Sequence, residues 1–282
     1  MFMPYLLLLS ALFCNVFLAI TDKQSSGYIN SRQIVFFSFH KTILCAFFAL
    51  FLLPFENFQI NMAGILISVF AGIFHCASVV FIMRCLKSCD AVFVNIIMSA
   101  GIIVPSLLGW VILDDTVNLF KIFCLVFLIF SLACILNLKK GGRLKAGLLS
   151  LLFVCYGMLM VMQKLFPIYS PEGSKALFSV IMYSVSAIIL AIFLRKEIRT
   201  KPNYQKPLKA FLLLAAILNL VINILLPTVL VWFEASVTFP VVHGAKLVII
   251  TLISPFLWKE KLSAVQIIFC FVAIACICGL SI

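Results

Sequence analysis

The sequence predicts an all-α polytopic membrane protein with ten transmembrane helices in two inverted five-helix repeats, and three observations carry that expectation. Of 282 residues, 65% are hydrophobic and only 11% charged, against ~25% charged in water-soluble domains. Mean hydropathy is +1.26. Apolar runs recur at the ~20-residue length that one spanning helix needs. In lipid the backbone must satisfy its own N–H and C=O groups, so such runs form helices. Finally, the layout of the first half returns in the second.

The spans fall at about 4–21, 33–53, 62–84, 90–113, 118–137, 146–166, 174–194, 208–233, 236–258 and 262–281. The first, MFMPYLLLLSALFCNVFLAI, lacks a basic leader and an A-x-A-like cleavage site, so it reads as a retained span. Turn-formers separate the early spans: Ser25-Ser26-Gly27 after the first, Pro54 after the second, Gly141-Gly142 after the fifth. The long polar connection runs from Arg195 to Pro207 after the seventh. A charged corner, Lys259-Glu260-Lys261, joins the last two.

A shift of 145 residues lays Asp115 on Glu260, Ala91 on Ser236, Ala100 on Ala245 and Ile122 on Ile267. Two units follow, 1–140 and 146–282. Five spans is an odd number, so the second unit enters the bilayer from the opposite side. Inverted-topology repeats are typical of secondary transporters, with sites near the midplane between the halves.

The corner Leu113-Asp114-Asp115 before one span, and Trp258-Lys259-Glu260-Lys261-Leu262 before another, resemble a repeated family hallmark: an apolar helix, an acidic "-E-(K/R)-L-" corner and a final glycine-bearing helix. By these residues the chain resembles the EamA-type branch of the drug/metabolite transporter superfamily. Its first corner departs in having Asp115-Thr116 where Glu-Arg is usual. The resemblance implies transport, and relatives move amino acids, drugs, sugars and other metabolites.

The net charge of +12 fits loops at a membrane surface better than nucleic acid, since no soluble domain carries a groove. Sixteen basic residues lie in or beside the connections after spans one, three, five, seven and nine, against Lys121, Lys164 and Lys175 on the other face. The count places the first face in the cytoplasm and both termini outside. The eleven cysteines lie mostly inside apolar runs, where Cys acts as a small hydrophobe. Cys85 and Cys89 lack a second ligand pair, so no metal site is expected.

Polar groups at membrane depth are costly and are functional candidates. His243 and Lys246, three apart, share a helix face. Lys41 lies inside span two and His75 inside span three. Asn219 and Asn223 share a face of span eight, with Asn15 and Tyr156 in the middle of spans one and six. These eight form the expected substrate-binding set, although each amide or imidazole could simply bond helix to helix. Gly101, Pro105 and Gly109 make a small-residue face along span four, and Pro240 and Pro255 bracket span nine; these are expected packing or gating positions. Asp115 and Glu260 are expected structural corners, held by ion pairs or caps.

All nine carboxylates fall at predicted span ends or in loops. A cavity bearing lysine and amides without a carboxylate suits an anionic solute, and a desolvated lysine could couple its transport to a proton. A phosphate-binding G-x-x-x-x-G-K-[ST] loop and an H-E-x-x-H motif are both missing, so neither an ATP-driven pump nor an intramembrane protease is expected. The expectation is a secondary transporter of a small metabolite, with no catalytic residue or cofactor. A lipid or lipid-linked sugar flippase and a non-transporting scaffold are the alternatives. The expected setting is the lipid bilayer of a bacterial plasma membrane, with homo-oligomerisation left open.

Overall fold

The computed structural model describes residues 3–56, 58–112, 119–138, 143–195, 204–260 and 264–279. The main helices are α1 (Met3–Tyr28), α2 (Ile34–Leu50), α3 (Met62–Ser88), α4 (Ala91–Ala100), α5 (Ile103–Ile112) and α6 (Leu119–Leu138). They continue as α7 (Arg143–Tyr169), α8 (Lys175–Leu194), α9 (Lys206–Val229), α10 (Ala235–Phe239), α11 (Ala245–Trp258) and α12 (Ala264–Gly279). Among the described residues, eight helical stretches are long and apolar enough to cross a bilayer, and they coincide with predicted spans one to four and six to nine. Predicted spans five and ten fall on α6 and on the 16-residue α12. The protein is an integral, multi-pass membrane protein.

The outer surface is apolar. Leu9, Phe13 and Phe17 stand exposed at four-residue spacing along α1, as do Ile188 and Ile192 on α8 and Phe123 and Phe127 on α6. Such a surface has no place in water and is the lipid-facing side of a bundle. The interior holds Phe37, Phe166, Phe178 and Tyr183, together with a dense set of buried polar side chains.

Helices of the first half pack chiefly on helices of the second. α3 lies on α7 and α1 on α9; α8 lies on α2 and α3; α4 lies on α11, and α6 on α12. Exchanging the halves maps the α3–α7 contact onto α9–α1, and α3–α8 onto α9–α2. The α2–α8 and α6–α12 contacts map onto themselves.

Two spans are broken. Predicted span four divides into α4 and α5 at Gly101–Ile102, four residues before Pro105. Pro105 has no N–H to donate to the Gly101 carbonyl, so that rung of the helix is lost. Val104 N–H turns back to Gly101 O at 3.1 Å instead. At the break the backbone nears α7: a Cβ on Gly157 would lie 2.9 Å from Gly101 O and 2.5 Å from Val104 Cγ2. Only glycine fits there. Predicted span nine widens into a π-helical turn, Pro240–Gly244, between α10 and α11. The interruptions touch, because the Ser99 hydroxyl donates to the His243 carbonyl at 3.0 Å. Pro255 stands exposed inside an unbroken α11.

Both ends of the bundle are tied by polar contacts. At one end, Asn61 caps α3 by accepting from Gly64 N at 2.7 Å and donates to Tyr169 O. Glu56 accepts from Ser174 Oγ at 2.7 Å and from Ala176 N at 3.1 Å, capping α8. This is the end with few basic residues. At the other, basic end, Lys87 donates to Ile29 O, and Lys23 gathers α1, α3 and the Glu260 corner.

Candidate functional site

A cavity lies between the halves, lined by α1, α2, α3, α4, α7, α9 and α11. It takes in seven of the eight predicted binding residues: Asn15, Lys41, His75, Tyr156, Asn219, Asn223 and Lys246. His243 is not in the lining. Its fully buried ring packs edge-on against Tyr156, with centroids 5.9 Å apart at 87°. Neither of its nitrogens has a hydrogen-bond partner among the described residues. The cavity volume is about 50 Å³, and one water needs ~10–15 Å³ on the same measure, so it holds a few water-sized groups.

Asp22 also lines this cavity, so the expected separation of carboxylates from the interior does not hold. α1 runs past the predicted end at residue 21 to Tyr28. Thr21 and Ser26 bond back onto the helix, Thr21 Oγ1 to Phe17 O and Ser26 Oγ to Lys23 O, both at 2.7 Å. With its polar side chains satisfied the helix continues, and Asp22 is carried inside at 5% exposure. Its two oxygens accept from Lys41 Nζ at 2.7 and 2.9 Å. Lys41 is therefore already neutralised, and its charge is not free for a solute.

Lys246 differs. It is fully buried at mid-length of the broken ninth span, lines the cavity, and its Nζ has no hydrogen-bond partner among the described residues. On the cavity wall Asp22 and Lys41 pair with each other, which leaves Lys246 without a counter-ion among the described residues.

The opposite wall is a network. Gln163 Nε2 donates to Asn223 Oδ1 at 2.7 Å, and Asn223 Nδ2 donates to Tyr183 Oη at 2.9 Å and Asn219 O at 2.8 Å. Tyr183 Oη donates to Asn219 O at 3.0 Å. Asn219 Nδ2 lies 3.2 Å from His75 Nε2, which must then accept, leaving the His75 Nδ1–H to donate to Ser186 Oγ at 3.1 Å. These bonds join α3, α7, α8 and α9 and fix the neutral imidazole in one tautomer. His75, Asn219 and Asn223 thus serve as interhelical glue as well as lining.

The corner at Glu260 is built from distant parts. Lys259 ends α11 in the left-handed region at φ 53°, turning Glu260 inward to 9% exposure. Glu260 Oε1 accepts from Ala91 N at 2.6 Å and lies 3.2 Å from Lys23 Nζ. Ala91 opens α4, so the carboxylate caps that helix and meets its positive dipole end. Lys23 also donates to Leu86 O at 3.2 Å and Cys89 O at 3.0 Å, where α3 ends. Asp115, the other expected corner, lies outside the described residues, and so do the side-chain surroundings of Gly109. A wider vestibule of about 490 Å³ opens at the opposite end, lined among others by Pro105, Trp110, Lys121, Lys164 and Glu234.

Residues 2–137 match the EamA-like transporter family. Over those residues, a little under half of the chain, it is similar to that family. A membrane transporter of the drug/metabolite superfamily is what that likeness implies. No curated protein matches the sequence. Among solved structures, the crystal structure of a protein is similar over 98% of this chain and 95% of its own, with a TM-score of 0.66 at 11% identity. At that identity the likeness shows a shared fold alone. It extends past the EamA match into the second half.

Sequence reasoning missed Asp22, Ser78, Asn95 and Gln163 in the lining. Asp22 stands seven residues after Asn15, two helical turns on the same face, and that spacing was its available signal.

Proposed function

We propose that this EamA-type protein is a ten-helix secondary transporter, built of inverted repeats at 1–140 and 146–282, that carries a small carboxylate-bearing solute by alternating access. The observation that carries the proposal is Lys246: a lysine buried in the central cavity wall, its Nζ without a partner among the described residues. A lone ammonium at that depth is costly, and a solute carboxylate removes the cost. Anion and proton therefore arrive together at Lys246, so that one carboxylate moves with one proton. The interchange of helix contacts between halves supports the repeat. The small cavity, the open vestibule at one end and the Lys23–Glu260 tie at the other support a state open to the sparsely charged face.

The test is a thermal-stability screen of the purified full chain against small carboxylates. A ligand at 100 times its Kd, binding only the native state, adds ~2.7 kcal/mol. Carboxylates should stabilise the wild type and not Lys246→Ala. Equal stabilisation of both would refute the role of Lys246, and a lipid-linked sugar phosphate as sole hit would replace this reading with a flippase.

A further inference from the structure

Four side chains in the cavity wall present polar atoms that have no hydrogen-bond partner among the described residues: Asn15 Nδ2, Ser78 Oγ, Asn95 Oδ1 and Lys246 Nζ. Each residue is at most 3% exposed. They come from α1, α3, α4 and α11, and α1 packs against each of the other three. Buried polar groups are ordinarily paired, and an unpaired one costs ~1–3 kcal/mol. Four at one cavity describe the hydrogen-bonding outline of what fills it.

Two of the four have a fixed sense. Lys246 can only donate. Asn95 accepts at this wall, because its Nδ2 donates to Ala91 O at 2.9 Å and its Oδ1 is the atom left without a partner among the described residues. Ser78 donates or accepts by rotating its hydroxyl, and the unanchored Asn15 amide adds a second donor. The matching solute offers an acceptor group to Lys246 and Asn15 and a donor hydrogen to Asn95.

The nature of that donor follows from charge. An ammonium would need a free carboxylate, but both oxygens of Asp22 are bound by Lys41, and Lys246 would repel it. A hydroxyl needs no counter-ion. We therefore propose that the solute is a small hydroxy carboxylate, its carboxylate on Lys246 and Asn15 and its hydroxyl donating to Asn95 Oδ1. The inference rests on the carboxylate reading above and adds Asn95 as a specificity-determining residue.

The experiment uses the full chain in detergent and compares acids that differ at one group: lactate, propionate and alanine, then 3-hydroxybutyrate against butyrate. At least one hydroxy acid should bind about tenfold more tightly than its deoxy partner, the value of one buried hydrogen bond, and lactate should exceed alanine. In Asn95→Leu the hydroxy preference should vanish while the deoxy acid still binds; Lys246→Gln should lose both. Equal binding of hydroxy and deoxy acids, or preference for alanine, overturns the hydroxy-acid inference and leaves the carboxylate reading standing. No binding by any acid overturns both. The wild-type comparison needs no variant to fold.

Discussion

Replacing Lys41 with Met leaves Asp22 as a buried carboxylate without its counter-ion. The pair is bidentate, at 2.7 and 2.9 Å, with the two residues 2% and 5% exposed. Breaking such a pair by removing one partner costs ~3–5 kcal/mol, most of it the uncompensated charge. At ~2–4 °C per kcal/mol for a chain of this order, Lys41→Met should melt roughly 6–20 °C below wild type. Removing both charges is different: Asp22→Leu combined with Lys41→Met leaves nothing to desolvate, and such replacements are often neutral. The double variant should therefore recover most of the loss, with a coupling energy of ~2–4 kcal/mol in the cycle. The assay is thermal unfolding of purified full-length protein, followed by dye binding to the exposed thiols. Additive losses in the double variant would refute the pairing, and a Lys41→Met variant as stable as wild type would show that Asp22 is not held inside.

Glu260→Gln removes the ion pair to Lys23 and weakens the cap on Ala91, bonds worth ~1.5–3 kcal/mol when charged. Maleimide labelling of the buried Cys85 and Cys89, read by peptide mass spectrometry, should become ~10-fold faster as the basic end loosens; an unchanged rate would dismiss the corner as a tie. Gly157→Ala places a methyl 2.5 Å from Val104 Cγ2 and 2.9 Å from Gly101 O, overpacking that costs ~1–3 kcal/mol. Its melting temperature should fall, and a stability equal to wild type would deny the close approach.

Hydropathy made the spans legible because lipid admits few alternatives to a helix. Mid-span polar residues were legible for the same reason, and seven of eight line one cavity. Hydropathy also hid Asp22: a window that ends at the first acid cannot see that Thr21 and Ser26 keep the helix going. Lys41 read as a free cation because its partner is on another helix. The Glu260 cap on Ala91 joins residues 169 apart, a pairing that no local pattern announces. Pro105 marked a disturbed helix, yet the break appears at Gly101–Ile102, where the proline's missing hydrogen bond would have closed.

Asp22 and Lys23 are neighbours on α1, but they point to different parts of the bundle. One holds α2; the other holds the end of α3 and the Glu260 corner that caps α4. A shift of this end of α1 strains all of these attachments together, so partial loosening gains little and intermediates are penalised. On the alternating-access reading proposed above, the basic end would shut or release as a unit, which would keep a carrier from becoming a leak.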